Sequence, residues 1–202
     1  MLQCRRASTL PVGIAIVCLT LAGCATSPPA VQTPPPGVQV AELPQPAHPF
    51  ECKGRMEYQG VKDGFYVFAC PNRSYYFDTT YNFTKAVDAD GTVGGDYKPH
   101  FPGHSFPLWV GKEWRERFDG RAVNDRWSSD VRAKVAALED VEVAAGRLQA
   151  YRIEFEDYWR SGGNSGVSQY THWYAPDVKR TVKSLNPQNA KWNFELAKFH
   201  ME

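Results

Sequence analysis

The side chains of this 202-residue chain that could do chemistry are few. His100 and His104 stand four apart, the spacing that sets two zinc-binding imidazoles on one helical face. Pro102 and Gly103 lie between them and argue against a helix, so the pair reads as two exposed histidines on a loop. Asp88, Asp90 and Gly91 open like a calcium loop. Val93 stands where the loop glycine belongs and Pro99 where the closing glutamate belongs, so a hairpin turn is the expectation. Glu154, Glu156 and Asp157 lie close together on an alternating stretch, which reads as a solvated strand face rather than an acid–base pair. No G-x-S-x-G elbow is present. The expectation is a protein that is not an enzyme, with no catalytic residue, no metal and no cofactor.

The elements that must position these residues read as strands. Aromatic residues make up 13% of the chain, which favours sheet over helix. Alternation recurs from residue 50 onward, bounded by Gly and Asp turns. Lys62-Asp63-Gly64 predicts a hairpin between Met56–Val61 and Phe65–Cys70. Gly94-Gly95 reads as flexible, and residues 99–107, with three prolines, read as a connection. Glu113–Phe118 reads as a strand. Val131, Ala133, Val135 and Ala137 are expected on one face, and Tyr151, Ile153 and Phe155 on one face of the next strand. Ser161–Gly166 reads as a flexible hairpin loop. Gln169–Tyr174 and Arg180–Leu185 follow, and Trp192, Phe194 and Leu196 alternate in a last strand. The fold class is therefore all-β: a curved antiparallel meander, or a partly closed half-barrel. Tyr151, Ile153, Phe155, His172 and Trp173 are the candidate ligand-facing residues of its concave face. Exposed aromatics such as Tyr158 and Trp159 offer a surface for a glycan or an acyl chain.

The start of the chain reads differently. Arg5 and Arg6 precede an apolar run over residues 10–22, the length of a secretion signal and shorter than the ~20 residues of a membrane-spanning helix. Leu21-Ala22-Gly23-Cys24 closes it and resembles the lipobox of bacterial lipoproteins. The resemblance implies cleavage of residues 1–23 as a signal peptide and lipidation (palmitate-type acyl chains) of Cys24. Ala25 in place of Asp favours the outer membrane in the sorting pattern of such proteins. Residues 24–49 are rich in proline and read as an extended tether, leaving 50–202 as the domain. In an oxidising periplasm Cys52 and Cys70 are most simply a disulfide across the first hairpin.

Without Arg5 and Arg6 the chain holds 21 basic and 22 acidic residues, a formal −1. That balance gives no electrostatic case for a nucleic-acid partner.

Three segments, Phe106–Trp114, Val141–Ile153 and Trp173–Lys183, resemble a loosely related group of β-rich bacterial envelope proteins. That group is similar in architecture to the lipoprotein-localisation-factor half-barrels. In the third segment Lys179 stands where the group carries glycine. The resemblance implies a fold and a compartment and no catalytic residues. The expected function is that of a non-enzymatic envelope lipoprotein. It would be anchored in the outer membrane by its N-terminal lipid, and its periplasmic domain would bind an apolar small molecule or an envelope protein. An assembly accessory without a small-molecule site is the alternative, and an envelope hydrolase the third reading.

Overall fold

The structure, a computed structural model, describes residues 32–43, 50–52 and 54–199, except for the side chains of residues 50–52 and 54–55. The chain divides after residue 31 into two units, and every described residue belongs to the second. Residues 1–31, with the signal peptide and Cys24, lie outside the described residues, as do His48 and His200.

Twelve strands follow one another in space in the order of the sequence, from β1 (Phe50–Cys52) to β12 (Phe194–Glu195). Each pairs antiparallel with the next, and the first and last are not partners, so the sheet is an open meander. Its backbone is carried by β7 (Glu113–Ala122), β8 (Asp125–Val143), β9 (Gly146–Ser161) and β10 (Asn164–Ala175). Before them come β2 (Gly54–Lys62), β3 (Phe65–Cys70), β4 (Arg73–Phe77), β5 (Phe83–Asp88) and β6 (Val93–Phe101); β11 (Arg180–Leu185) follows. The single helical turn among the described residues is a 3-10 turn at Ala190–Trp192.

The turns have a clear local chemistry. Asp63 and Gly64 have φ of 52° and 81°, and Gly162 and Gly163 have 54° and 86°. Two successive positive φ values twist a two-residue turn to match the strands on either side. Ser161–Gly166 is thus a tight turn with Ser161 and Asn164 paired, and not a flexible loop. Lys179, at the position where the sequence pattern leads one to expect glycine, takes φ 58°, the conformation a glycine would supply.

A β-bulge between Val135 and Ala137 reverses the alternation of β8. Val131, Ala133 and Val135 join the main core, but Ala137 faces away from it, opposite Arg152. The sheet buries both faces as a result. One cluster gathers Phe118, Val131, Val135, Tyr151, Ile153, Phe155, Tyr170 and Tyr174. A second gathers Val141, Val143, Ala150, Ala175, Val178, Val182 and Leu196. Ala150 and Tyr151 are neighbours on one strand, as are Tyr174 and Ala175, so the clusters lie on opposite faces. A third, aromatic cluster forms around Met56, Phe68 and Tyr81 at the β2–β5 end.

Other parts of the strand reading change too. Gly94, Gly95, Pro99 and His100 all lie in β6 rather than in loops. Trp192 and Phe194 are 60% and 50% exposed, and only Leu196 of that alternating trio is buried. Part of the proline-rich segment is docked. Ala41 and Leu108 exchange two backbone hydrogen bonds of 2.8 Å, Ala41 is buried in the main core, and Tyr151 Oη donates to the Gln39 carbonyl at 2.9 Å. An extended backbone with a small side chain can lie on an aromatic face as an added strand would. Residues 32–43 therefore belong to the folded unit, which begins well before residue 50.

The Phe106–Trp114 motif organises this contact. Lys112 is buried, and its ammonium donates to the carbonyls of Ser105 and Pro107 while lying 4.6 Å from the centre of the Trp109 ring. Burial pushes its pKa down. The lysine replaces missing backbone partners in a proline-containing loop, so its role is structural.

Candidate functional site

The inner face of the sheet holds the histidines. The turn after β4 is built on Asp78, whose Oδ1 accepts from Thr80 N at 2.8 Å, Thr80 Oγ1 at 2.7 Å and Asn82 N at 2.9 Å. This leaves Oδ2 for His100 Nδ1, 2.5 Å away, while His100 Nε2 lies 2.9 Å from Glu116 Oε1 in an ion-pair contact that is not an aligned hydrogen bond. The Asp78 hydrogen bond, and then Glu116, raise the His100 pKa to about 9. Burial pushes Asp78 upward, but its bonds from His100, Thr80 and Asn82 outweigh this and hold it below the usual carboxylate range. His100 is therefore a charged clasp joining the β4–β5 turn, β6 and β7. Both of its nitrogens face carboxylates, which suits a cation held as part of the structure.

His104 and His172 are the opposite case. Both retain some accessible surface but lie deep among aromatic rings. The His104 ring stacks 5.4 Å from Phe106, with its Nε2 3.2 Å from Thr181 Oγ1. The Asn82 side chain pins the His104 backbone, donating to its carbonyl at 2.9 Å and accepting from its N–H at 2.8 Å. His172 packs 4.8 Å from Phe155 and 5.4 Å from Tyr170. Burial drives His104 down to about 4 and His172 down to about 3, so both are neutral imidazoles at pH 7. Neither His100 nor His104 is the exposed loop residue the sequence suggested; the strand continues through Pro99 to Phe101 and carries His100 inward. No group of three or more His, Cys, Asp or Glu among the described residues is placed to hold a metal.

The candidate ligand-facing residues separate. Tyr151, Ile153 and Phe155 are at most 2% exposed and are packed by Ala41, Leu108, Tyr170 and Tyr174, so they fill the inner face rather than line an opening. His172 shares their side. Trp173 lies on the opposite face, where its Nε1 donates to Glu139 Oε1 at 3.0 Å and Lys183 sits 5.7 Å from its ring centre. Adjacent strand residues cannot share a face. Cys70 is disulfide-bonded. Cys52 pairs its backbone with Gly54, and its side chain lies outside the described ones.

The outer face of β6–β10 carries what the sequence reading missed. A groove of about 880 Å³ crosses these strands, and its lining includes five basic residues, Lys98, Arg115, Arg117, Arg132 and Arg160, against two acidic ones, Asp119 and Asp130. Arg115 grips Asp130 with two hydrogen bonds of 2.6 Å, and Arg117 adds a third at 2.9 Å. The Arg115 hydrogen bonds lead, with burial opposing and Arg117 assisting, in holding Asp130 down to about 2. The carboxylate thus fixes two guanidinium groups that remain 55% and 78% exposed. Arg132 lies 5.1 Å from the Tyr158 ring centre. A second groove of about 740 Å³ adjoins the first, sharing Lys98, Asp119, Ser128, Arg160 and Ser165. Two glycines shape this end of the sheet from within. A Cβ on Gly120 would fall 2.1 Å from Trp127, and one on Gly166 would fall 2.7 Å from Trp159, so each indole occupies the space a side chain would need there. The sequence did hold one signal for the groove, the i, i+2 spacing of Arg115 and Arg117 on a single strand face.

Comparison with protein-family models, with characterised proteins and with solved structures finds no match for this chain.

Proposed function

We propose that this chain is a non-enzymatic lipoprotein of the bacterial cell envelope. Its β domain faces the periplasm from an outer-membrane anchor at Cys24, and it binds a partner of the envelope on its outer face. The carrying observation is the contrast in occupancy between the two faces. The inner face is filled by the protein's own rings, with Tyr151 and Ile153 at 0% exposure, whereas the outer face presents an open groove of about 880 Å³. Close packing around Tyr151, Ile153 and Phe155 favours recognition on the surface over an apolar molecule held between these side chains. The likeness of Leu21–Cys24 to a lipobox and of three downstream segments to β-rich envelope proteins supports the compartment. The docked 32–43 segment shortens the free tether. Seven residues separate Cys24 from Gln32, which span at most ~28 Å from α-carbon to α-carbon when fully extended.

Two measurements test this reading. Cys24→Ser is expected to abolish acyl labelling and release the chain from the membrane fraction; unchanged labelling overturns the anchor. Extraction of the purified full-length protein followed by lipid mass spectrometry is expected to return detergent and no stoichiometric apolar molecule, the acyl chains at Cys24 staying on the protein. A stoichiometric extra apolar molecule would restore the inner face as a ligand site.

A further inference from the structure

The groove residues fall on three neighbouring rows that run across the sheet. In the first, Arg115 faces Arg132, Arg132 faces Glu156, and Glu156 faces Gln169. In the second, Arg117 faces Asp130, Asp130 faces Tyr158, and Tyr158 faces Val167. In the third, Lys98 faces Asp119, then come Ser128, Arg160 and Ser165. Side chains on one face repeat every second residue, so the outer rows are ~13 Å apart along the strands. Cations therefore flank a middle row in which Tyr158 and Val167 are 39% and 45% exposed. The middle row thus joins the Arg117–Asp130 pair to the exposed side chains of Tyr158 and Val167, and cations predominate in the groove lining.

Three features select the occupant. The lining is net positive, five charges against two, on a chain whose formal charge without Arg5 and Arg6 is −1. The complementary ligand is anionic. The exposed cations are spread over three rows and ~13 Å of sheet, so a ligand carrying several anions along a chain engages more of them than one phosphate or carboxylate does. The groove crosses the interior of a sheet whose backbone is already paired, so an added peptide strand has no free edge to join there. A trough also fits a polymer better than the flat surface of a bilayer. Exposed aromatic and aliphatic side chains beside guanidinium groups suit a sugar ring bearing an acidic substituent.

We propose that the outer groove over β6–β10 binds a negatively charged glycan chain, its phosphate or carboxylate groups held by Arg115, Arg117, Arg132 and Arg160 and its rings packed on Tyr158 and Val167. The proposal rests on the reading of the domain as a binding module and is independent of the anchor.

The test uses full-length protein in neutral detergent micelles, with heparin as the anionic glycan. Dextran serves as the neutral glycan, poly-glutamate as the acidic peptide, and phosphatidylglycerol doped into the micelles as the lipid headgroup. Heparin is expected to bind most tightly, with affinity falling as salt rises. The double variant Arg132→Glu/Arg160→Glu is expected to weaken it by roughly tenfold or more, with an unchanged circular dichroism spectrum and unfolding midpoint. Tyr158→Ala leaves the net charge intact and is expected to weaken heparin several-fold more than poly-glutamate, because both lose the ring that supports Arg132 but only heparin loses a surface for its sugar rings. Heparin binding that survives the charge reversal, or tighter binding of poly-glutamate or phosphatidylglycerol, overturns the proposal. Equal effects of Tyr158→Ala on heparin and poly-glutamate would also overturn it, because charge alone would then account for binding. None of these results bears on acylation at Cys24, so failure of the glycan site is distinguishable from failure of the envelope reading.

Discussion

On the inner face of β9, Phe155 stacks 4.8 Å from Tyr170 and is 2% exposed. On the outer face of the same strand, three residues along, Tyr158 is 39% exposed and holds the Arg132 guanidinium over its ring. The contrast extends to the charges. Inside, His104 and His172 are kept neutral and His100 is enclosed by two carboxylates. Outside, Arg115 and Arg117 share one carboxylate and keep much of their surface in solvent. The inner face commits its polar groups to its own structure, whereas the outer face fixes Arg115 and Arg117 on Asp130 with much of their surface in solvent. The histidines, which attract attention first in the sequence, belong to the structural half.

Truncation breaks this contrast most directly. Phe155→Ala is expected to cost ~3–5 kcal/mol, because it leaves a cavity among Trp114, Tyr170 and His172. Tyr158→Ala is expected to stay within ~0.5 kcal/mol. Urea unfolding measures both, and similar losses would erase the distinction between the faces.

Gly120→Ala is expected to cost ~1–3 kcal/mol, since the new Cβ meets Trp127 at 2.1 Å. In the Gly120→Ala/Trp127→Ala double variant the glycine's contribution should largely vanish, giving a clear coupling in a double-mutant cycle. Strict additivity would show that the indole yields freely.

The inner histidines give opposing pH limbs. His100 has a folded pKa of about 9 against an ordinary 6.5, so its contribution is complete below pH 6.5 and is lost as pH rises through about 9. His104 and His172 have folded values of about 4 and about 3, so their cost is absent above pH 6.5 and grows as pH falls toward those values. Stability should therefore peak near pH 6.5. His100→Gln is expected to flatten the alkaline limb by on the order of 1 kcal/mol after allowance for solvent screening, while sparing the acid limb. Chemical unfolding from pH 4 to pH 9.5 reads both. Arg160→Glu gives the smallest effect on stability, within ~0.5 kcal/mol at every pH.

Much of the sheet was legible because one wet face imposes strict alternation, as in β9, and because Asp63-Gly64 and Gly162-Gly163 are strong turn signals. The bulge at Val135/Ala137 was not, since an inserted residue leaves no mark in composition. Proline and glycine after Lys98 suggested a loop and hid the strand that carries His100 inward. Candidate site residues failed for a related reason. The alternation of Tyr151, Ile153 and Phe155 points to a concave face, but Ala41 and Leu108 from remote parts of the chain pack against them, and only the folded register brings them there. The groove was invisible for the same cause. Arg115, Arg132 and Arg160 come from three strands, and their convergence depends on pairing across β7, β8 and β9 within a chain whose charges nearly cancel.

The central claim is that recognition occurs on the outer groove. Val167 and Phe194 offer a matched pair, since both are apolar and are 45% and 50% exposed, but only Val167 lines the groove. A photo-crosslinking benzoylphenylalanine placed at each position in full-length protein, in intact cells of a Gram-negative host, tests the claim directly. Light-dependent adducts are expected from position 167 that stain for carbohydrate and disappear in the Arg132→Glu/Arg160→Glu background, with none from position 194. Adducts from position 194 alone, or none from position 167, would contradict it.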